Sequence, residues 1–88
     1  MTDEQRAAQK TANLAFVMEY HRRVTTLVSC VSRMQEQLLF IHSTDAEMNT
    51  MLENAMSVLR AREEKARVYI EIEAPQVEAI VNKLLGEI

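Results

Sequence analysis

The sequence has little of the material from which turns are built. Its 88 residues include one Gly, one Pro and no Trp. Sandwiches, barrels and alternating β/α folds need many tight turns, and Gly and Pro form most of them. Those fold classes are therefore excluded. The residues that dominate instead, such as Ala, Leu, Met, Glu and Arg, favour helices and predict one all-α domain covering residues 1–88.

Cysteine, long apolar runs and positive charge are also scarce. A single Cys permits no internal disulfide, which is typical of a reducing compartment. No apolar run reaches the ~18–20 residues of a membrane span, and the polar start MTDEQRAAQK lacks the features of a signal peptide. A net charge of −3 does not favour nucleic acid. We therefore expect a cytoplasmic protein, with no membrane partner and with nucleic acid only as an alternative.

The sequence lacks the motifs that carry most enzyme chemistry. Cys30 lies within an apolar helical pattern, where a thiol behaves as a small hydrophobic group. The two histidines, His21 and His42, are far apart in sequence, and no metal-binding spacing or Gly-rich phosphate loop is present. We therefore expect a protein without enzymatic activity, cofactor, metal or small-molecule substrate.

The first half of the chain contains a long heptad pattern. Eight apolar residues follow one another at alternating spacings of three and four, as they do in coiled coils. They are Val17, Tyr20, Val24, Leu27, Val31, Met34, Leu38 and Ile41. The pattern predicts helix 1 over about residues 11–42, with these side chains facing another helix. Residues 1–10 have few large apolar groups, and we expect them to fray.

A polar segment, HSTDAEM at 42–48, separates this pattern from the next one. Thr44 followed by Glu47 has the spacing of a capping box, in which the hydroxyl and the carboxylate each accept from a backbone amide. This spacing predicts that helix 2 begins at about residue 45, with Ser43 as the alternative cap. A short polar connection between two amphipathic helices produces an antiparallel hairpin.

Pro75 is expected to end helix 2 at about residue 73, because proline cannot donate to a helix and disfavours helical geometry before it. Beyond it, apolar residues at helical spacing predict a short helix 3 over about 76–85. The predicted fold is therefore all-α. It is an antiparallel hairpin of two long amphipathic helices with coiled-coil-like packing, followed by a short C-terminal helix.

The stretch RVYIEIEAP at 67–75 alternates apolar and polar residues, as a strand does. No other stretch offers a strand to pair with it, so we interpret it as the last turns of helix 2. Val68 and Ile72, four residues apart, then form a second apolar ridge on the opposite side of the helix from Tyr69 and Ile70. Helix 3 or a partner is expected to dock there.

The predicted apolar surface exceeds what a two-helix hairpin can bury. We therefore expect a protein–protein interaction module, either a small chaperone or a subunit of a coiled-coil assembly, that buries a partner's amphipathic helix. Both a homo-oligomer and a different helical protein fit this expectation. The expected partner-binding residues are Met48, Met51, Met56, Val68, Ile72, Val77, Ile80, Val81, Leu84 and Leu85.

Basic residues on both predicted helices indicate an alternative function. In an antiparallel hairpin they lie at about the same level, which would suit a small dimer that binds structured RNA or DNA as a regulator. They are Arg22, Arg23, Arg60, Arg62, Lys65 and Arg67. Nearby glutamates dilute the positive field, so the expected role of these residues is charge pairing across the hairpin.

Overall fold

The protein is an antiparallel helical hairpin. The computed structural model describes residues 2–42 and 44–86. These contain two helices, α1 at Asp3–Phe40 and α2 at Ala46–Gly86, and no strand. The helices lie side by side in a rod of 64 × 20 × 15 Å. The predicted all-α hairpin is confirmed, and the alternating stretch 67–75 is helical.

α1 begins earlier than predicted. Its cap is Thr2, whose hydroxyl accepts from the Gln5 amide at 3.2 Å while the Thr2 amide donates to the Gln5 side chain at 3.0 Å. This capping box, with Asp3 and Glu4 near the positive end of the helix dipole, stabilises the first turn. The described part of segment 1–10 is therefore capped and helical from Asp3, and the expected later start of helix 1 is wrong.

α2 continues through Pro75, so the predicted separate helix 3 over 76–85 is not present. Proline removes one amide donor and crowds the carbonyl of the residue four positions earlier. Pro75 is exposed on the solvent side of α2, where that carbonyl can bind water instead. The early start of α1 places its first turns beside the end of α2, where Arg6 and Ile80 line the same groove. Ala7 and Val77, on these two segments, are both buried.

Asp45, rather than the predicted pair of Thr44 and Glu47, caps the start of α2. The Asp45 carboxylate accepts a hydrogen bond from the Met48 amide at 3.0 Å. It thereby satisfies one of the backbone amides that a helix start leaves without a helical partner. The predicted position of the second helix start is correct to within one residue.

The end of α1 has a left-handed residue. The Ile41 amide still donates to the Gln37 carbonyl, and the His42 amide donates to the Leu39 carbonyl, both at 3.1 Å. His42 then takes a φ of 53°, which turns the chain out of the helix. A left-handed residue just after the last turn is a common way to end a helix.

Each helix packs against the other through one row of residues, at spacings of three and four along α2 and along α1 from Leu14 onward. We call these two rows the seam. On α1 the seam consists of Ala7, Leu14, Val17, His21, Val24, Val28, Val31, Gln35 and Leu38. On α2 it consists of Asn49, Leu52, Met56, Leu59, Glu63, Ala66, Ile70, Glu73, Val77, Ile80 and Leu84. All of these side chains are buried or half-buried.

The α1 seam coincides with only half of the predicted heptad. Val17, Val24, Val31 and Leu38 belong to both patterns. The other predicted members are substantially exposed: Tyr20 by 40%, Leu27 by 50%, Met34 by 54% and Ile41 by 65%. The places of Tyr20, Leu27 and Met34 in the seam are taken by the next residues along the helix, His21, Val28 and Gln35. The seam is therefore rotated toward these neighbours, and it leaves a second apolar row uncovered.

The core of the hairpin is small. Within the described residues, only Ala7, Leu14, Val24, Ala66 and Val77 are buried hydrophobic residues. The accessible surface is 6998 Å² for a chain of 10.1 kDa. A compact monomer of this mass exposes about 5,300 Å². The excess of roughly 1,700 Å² is larger than the ~800 Å² that each partner buries in a standard protein interface.

Candidate functional site

The hairpin has two broad faces, one on each side of the seam. We call one of them the apolar face and define it by the rows that lie next to the seam on that side. On α1 these rows contain Phe16, Tyr20, Arg23, Leu27, Cys30, Met34, Gln37 and Ile41. On α2 they contain Met48, Met51, Ala55, Val58, Arg62, Lys65, Tyr69 and Ile72. Two grooves between the helices open on this face.

The groove nearer the turn, which we call the Met groove, is apolar except for one glutamine. Its volume is about 400 Å³, and it is lined by Met34, Gln37, Leu38, Met48, Met51 and Leu52. The side chains of Met48 and Met51 are 45% and 65% exposed. Methionine side chains are flexible and polarisable, so this groove can adapt its shape to the apolar side chains of another helix.

The groove farther from the turn, which we call the basic groove, combines aromatic rings with positive charge. Its volume is about 250 Å³, and it is lined by Val17, Tyr20, Arg62, Lys65, Ala66 and Tyr69. Within the described part of the chain, neither Arg62 nor Lys65 forms an ion pair. These two cations are therefore available to negative charge supplied from outside.

The face on the other side of the seam, which we call the charged face, includes Glu53, Arg60, Glu64, Arg67 and Glu71. Arg67 donates to Glu71 at 2.7 Å and lies 3.7 Å from Glu64. The hydrogen bond to Glu71 is the main reason that the pKa of Arg67 is raised above its ordinary value. Such exposed pairs along one helix stabilise it little and are typical of a surface in contact with water.

An ion-pair cluster lies on the outer side of α1. Arg22 donates to Glu19 at 2.6 and 3.0 Å, and Arg23 donates to the same carboxylate at 2.9 Å. These hydrogen bonds, that of Arg22 first, lower the pKa of Glu19 to about 2. The cluster holds Arg23 at the outer edge of the apolar face rather than over its centre.

A polar pair crosses the seam. His21 Nε2 lies 2.9 Å from Glu63 Oε1, and both side chains are about two-thirds buried, with exposures of 28% and 31%. Polar groups within an otherwise apolar helix interface favour one alignment of the helices, because slippage would leave them without partners. The same alignment brings Gln35 and Asn49 to the side of one groove near the turn.

The structure divides the predicted partner-binding residues into three groups. Met48, Met51 and Ile72 lie exposed on the apolar face. Val77 is buried, and four others are half-buried: Met56, Ile80, Val81 and Leu84. Met56 belongs to the seam, and the other four pack within the hairpin because the predicted helix 3 is part of α2 and lies along α1. Val68 and Leu85 are exposed, but outside the apolar face.

Several residues of the apolar face were absent from the predicted site. Phe16, Leu27 and Met34 are 74%, 50% and 54% exposed. The heptad pattern predicts that Leu27 and Met34 lie in the helix–helix contact, so they were not among the expected binding residues. The available signal was the width of the α1 stripe, which exceeds what a single neighbouring helix covers.

The six basic residues considered for nucleic-acid binding do not form one patch. Two of them pair with Glu19 and two lie on the charged face, whereas only Arg62 and Lys65 line the basic groove. The expected charge pairing across the hairpin is also rare. Among the described residues the arginine pairs lie within single helices, and the pair of His21 and Glu63 is the one that crosses.

Residues 2–42 and 44–86 contain no helix with the length and apolar character needed to cross a membrane. They also contain no group of three His, Cys, Asp or Glu side chains placed to hold a metal ion. Comparison of the chain with protein-family models, with curated proteins and with solved structures gives no match. The candidate site is therefore defined by the apolar face alone.

Proposed function

We propose that this protein is a non-enzymatic helical interaction module that buries a partner's amphipathic helix against its apolar face. It would act as a small chaperone for that helix or as a subunit of a coiled-coil assembly. The observation that supports the proposal is the concentration of exposed large apolar side chains on one of two otherwise equivalent faces. Contiguous exposed apolar patches of this kind mark protein interaction sites.

The shape of the apolar face suits a helix. The face extends along α1 from Phe16 to Ile41, which corresponds to about 38 Å at ~1.5 Å per residue. Two parallel ridges with a groove between them can receive the apolar side chains of a third helix at spacings of three and four. The seam already has this spacing on both helices, so a third helix would extend the same packing into a coiled-coil bundle.

Cys30 provides a direct test because it lies exposed on the apolar face. The experiment compares the rate of thiol modification in the protein purified natively under mild conditions with the rate in the denatured and refolded chain. Light scattering gives the mass of each sample. We expect the native sample to exceed the 10.1 kDa of one chain and to protect Cys30 at least about tenfold, since a covering helix excludes the reagent.

A matched control separates the two faces. In the variant Ser29→Cys/Cys30→Ser the thiol moves to the preceding residue, position 29, which is exposed and lies off the apolar face. The control thiol should react at the same rate in both samples. A native sample that is a folded monomer at micromolar concentration, with Cys30 fully reactive, would contradict the proposed function.

A further inference from the structure

We propose that the occupant of the apolar face is an acidic amphipathic helix of another protein rather than a second copy of this chain. This inference rests on the proposed function and specifies its partner. It is based on the sign and position of the charges on the face. A helix with carboxylates along one flank and apolar residues along the other would match both grooves.

The charges on the apolar face are all of one sign. The charged residues of that face are Arg23, Arg62 and Lys65, and none of its residues is Asp or Glu. The chain as a whole is acidic, with 13 acidic residues against 10 basic ones. The acids therefore lie elsewhere on the hairpin, and the surface left free by the seam is positive in a negative protein.

The pairing of these cations strengthens the argument. Arg23 is engaged by Glu19, and on the charged face Arg67 is engaged by Glu71. Arg62 and Lys65, which line the basic groove, pair with no carboxylate among the described residues. A partner that covered this groove without supplying negative charge would remove two cations from water uncompensated, which is costly.

This cost argues against a face-to-face dimer. A two-fold interface places the same patch on both sides, so the apolar face of a second copy would bring its own Arg62 and Lys65 and no carboxylate. Like charges within an interface disfavour the complex. An acidic amphipathic helix supplies the missing negative charge, and its apolar side covers the exposed apolar area.

The positions of the grooves also define the pattern that the partner helix should have. Along α2, Met48 in the Met groove and Arg62 in the basic groove are separated by 14 residues of helix, which is about 21 Å. The partner should therefore carry large apolar residues at one end and carboxylates about four helical turns away. A helix of about 25 residues spans the whole face at ~1.5 Å per residue.

Three designed peptides test this inference on the full chain. Each is a 25-residue helix with the same apolar row of Leu and Ala, and the flanking positions at one end are Glu, Gln or Lys. Binding is measured by fluorescence anisotropy of the labelled peptide. We expect the Glu peptide to bind at least about tenfold more tightly than the Gln peptide, and the Lys peptide to bind most weakly. The Glu preference should fall at high salt.

Charge reversal on the protein locates the effect. In Arg62→Glu/Lys65→Glu the order of affinities should invert, so that the Lys peptide binds best. The matched variant Arg60→Glu/Arg67→Glu makes the same charge change on the charged face and should keep the original order. Circular dichroism checks that both variants retain the helix content of the parent.

The possible failures are distinguishable. If the Glu and Gln peptides bind equally and both protect Cys30, the charge inference is wrong and the proposed function stands. If no peptide binds and Cys30 stays reactive in the native sample, both fail. A refolded sample of the chain alone that has the mass of two chains and protects Cys30 without added peptide overturns the inference in favour of a second copy. Binding to anionic vesicles or duplex RNA in place of the Glu peptide, with the same dependence on Arg62 and Lys65, overturns it too.

Discussion

The apolar face and the charged face border the same seam, yet most of the exposed large apolar side chains lie on the first of them. Beside the seam on one side lie Leu27, Met34 and Met48, whereas the other side carries Glu53 and Arg60. Both faces of an isolated hairpin would meet water, and a sequence suited to that state would make both of them polar. From this difference we infer that the charged face is the better suited of the two to contact with water. The following predictions test that difference, beginning with the largest expected effect.

Two aspartate substitutions, Val24→Asp in the seam and Leu27→Asp on the apolar face, should change the free energy of unfolding by very different amounts. Val24 is 5% exposed and Leu27 is 50% exposed, although they lie one helical turn apart. A buried unpaired carboxylate in the seam should lower the free energy of unfolding by about 3 kcal/mol or more, enough to unfold a marginal hairpin. The same group at Leu27 stays in water and should cost less than about 1 kcal/mol.

Urea denaturation followed by circular dichroism measures both variants. Leu27→Asp should also lose affinity for the Glu peptide while keeping its helix content, because it places a negative group on the binding face. If the two variants unfolded at the same urea concentration, the heptad with Leu27 facing α2 would be the better description, and the apolar face would not be a free surface.

Glutamate substitutions at two methionines of the apolar face should weaken peptide binding while leaving the hairpin folded. We expect Met34→Glu/Met51→Glu to weaken binding of the Glu peptide by about 100-fold, because two apolar contacts worth about 1.5 kcal/mol each are lost. The matched variant Met18→Glu/Leu39→Glu changes two equally exposed apolar residues that lie off this face. It should change affinity by less than about threefold. Equal losses in the two variants would mean that binding is not specific to one face.

The sequence predicts the helices of this hairpin better than it predicts which side of α1 faces α2. Val24 and Val31 belong to both possible rows, so the choice depends on the members between them. The observed seam uses His21 and Gln35, which a search for apolar residues rejects in favour of Tyr20 and Met34. The correct row is identified by the contact between His21 and Glu63, which are far apart in sequence, and by the partial burial of Gln35 in place of Met34.

The two ends of the hairpin show different limits of prediction. The early start of α1 was visible in the sequence, since Thr2 followed by Gln5 has capping-box spacing. The passage of α2 through Pro75 was not visible. It depends on Pro75 facing solvent and on α1 being long enough to cover Val77, which are properties of the assembled hairpin. The second error affected the predicted site, because Val77, Ile80 and Leu84 were assigned to a separate helix and lie in the seam instead.

The polar pair of His21 and Glu63 in the seam should favour one alignment of the two helices. Its effect on the free energy of unfolding should be smaller than that of Val24→Asp. We expect His21→Leu to lower the free energy of unfolding by about 1–2 kcal/mol, because the half-buried Glu63 carboxylate loses its hydrogen bond. The double variant His21→Leu/Glu63→Leu should recover at least the parent's stability, since well-packed apolar residues often replace such pairs without loss. Denaturation of His21→Leu, Glu63→Leu and the double variant gives the coupling energy between the two side chains. Additive effects would show that the two side chains act independently.

The smallest expected effect concerns Glu19, which controls the position of Arg23 at the edge of the apolar face. The pKa of Glu19 is lowered to about 2 from 4.5, mainly by Arg22 and then by Arg23. Between these two pH values the folded chain therefore binds fewer protons at this carboxyl than the unfolded chain does. The stabilisation is therefore complete above about pH 4.5 and is lost as the pH falls toward 2. Carboxyl chemical shifts should show a Glu19 titration midpoint near pH 2.

The matched variants for this titration are Arg22→Gln/Arg23→Gln and Arg33→Gln. The double variant removes both donors and should move the Glu19 midpoint upward toward 4.5, whereas Arg33→Gln removes an equal charge elsewhere on α1 and should leave it in place. The double variant also lacks the positive charge of Arg23, so its preference for the Glu peptide over the Gln peptide should decrease slightly. Arg62 and Lys65 should maintain most of that preference. A Glu19 midpoint near 4.5 in the parent protein would mean that Arg23 is free, and that the basic set of the apolar face includes it on equal terms with the two residues of the basic groove.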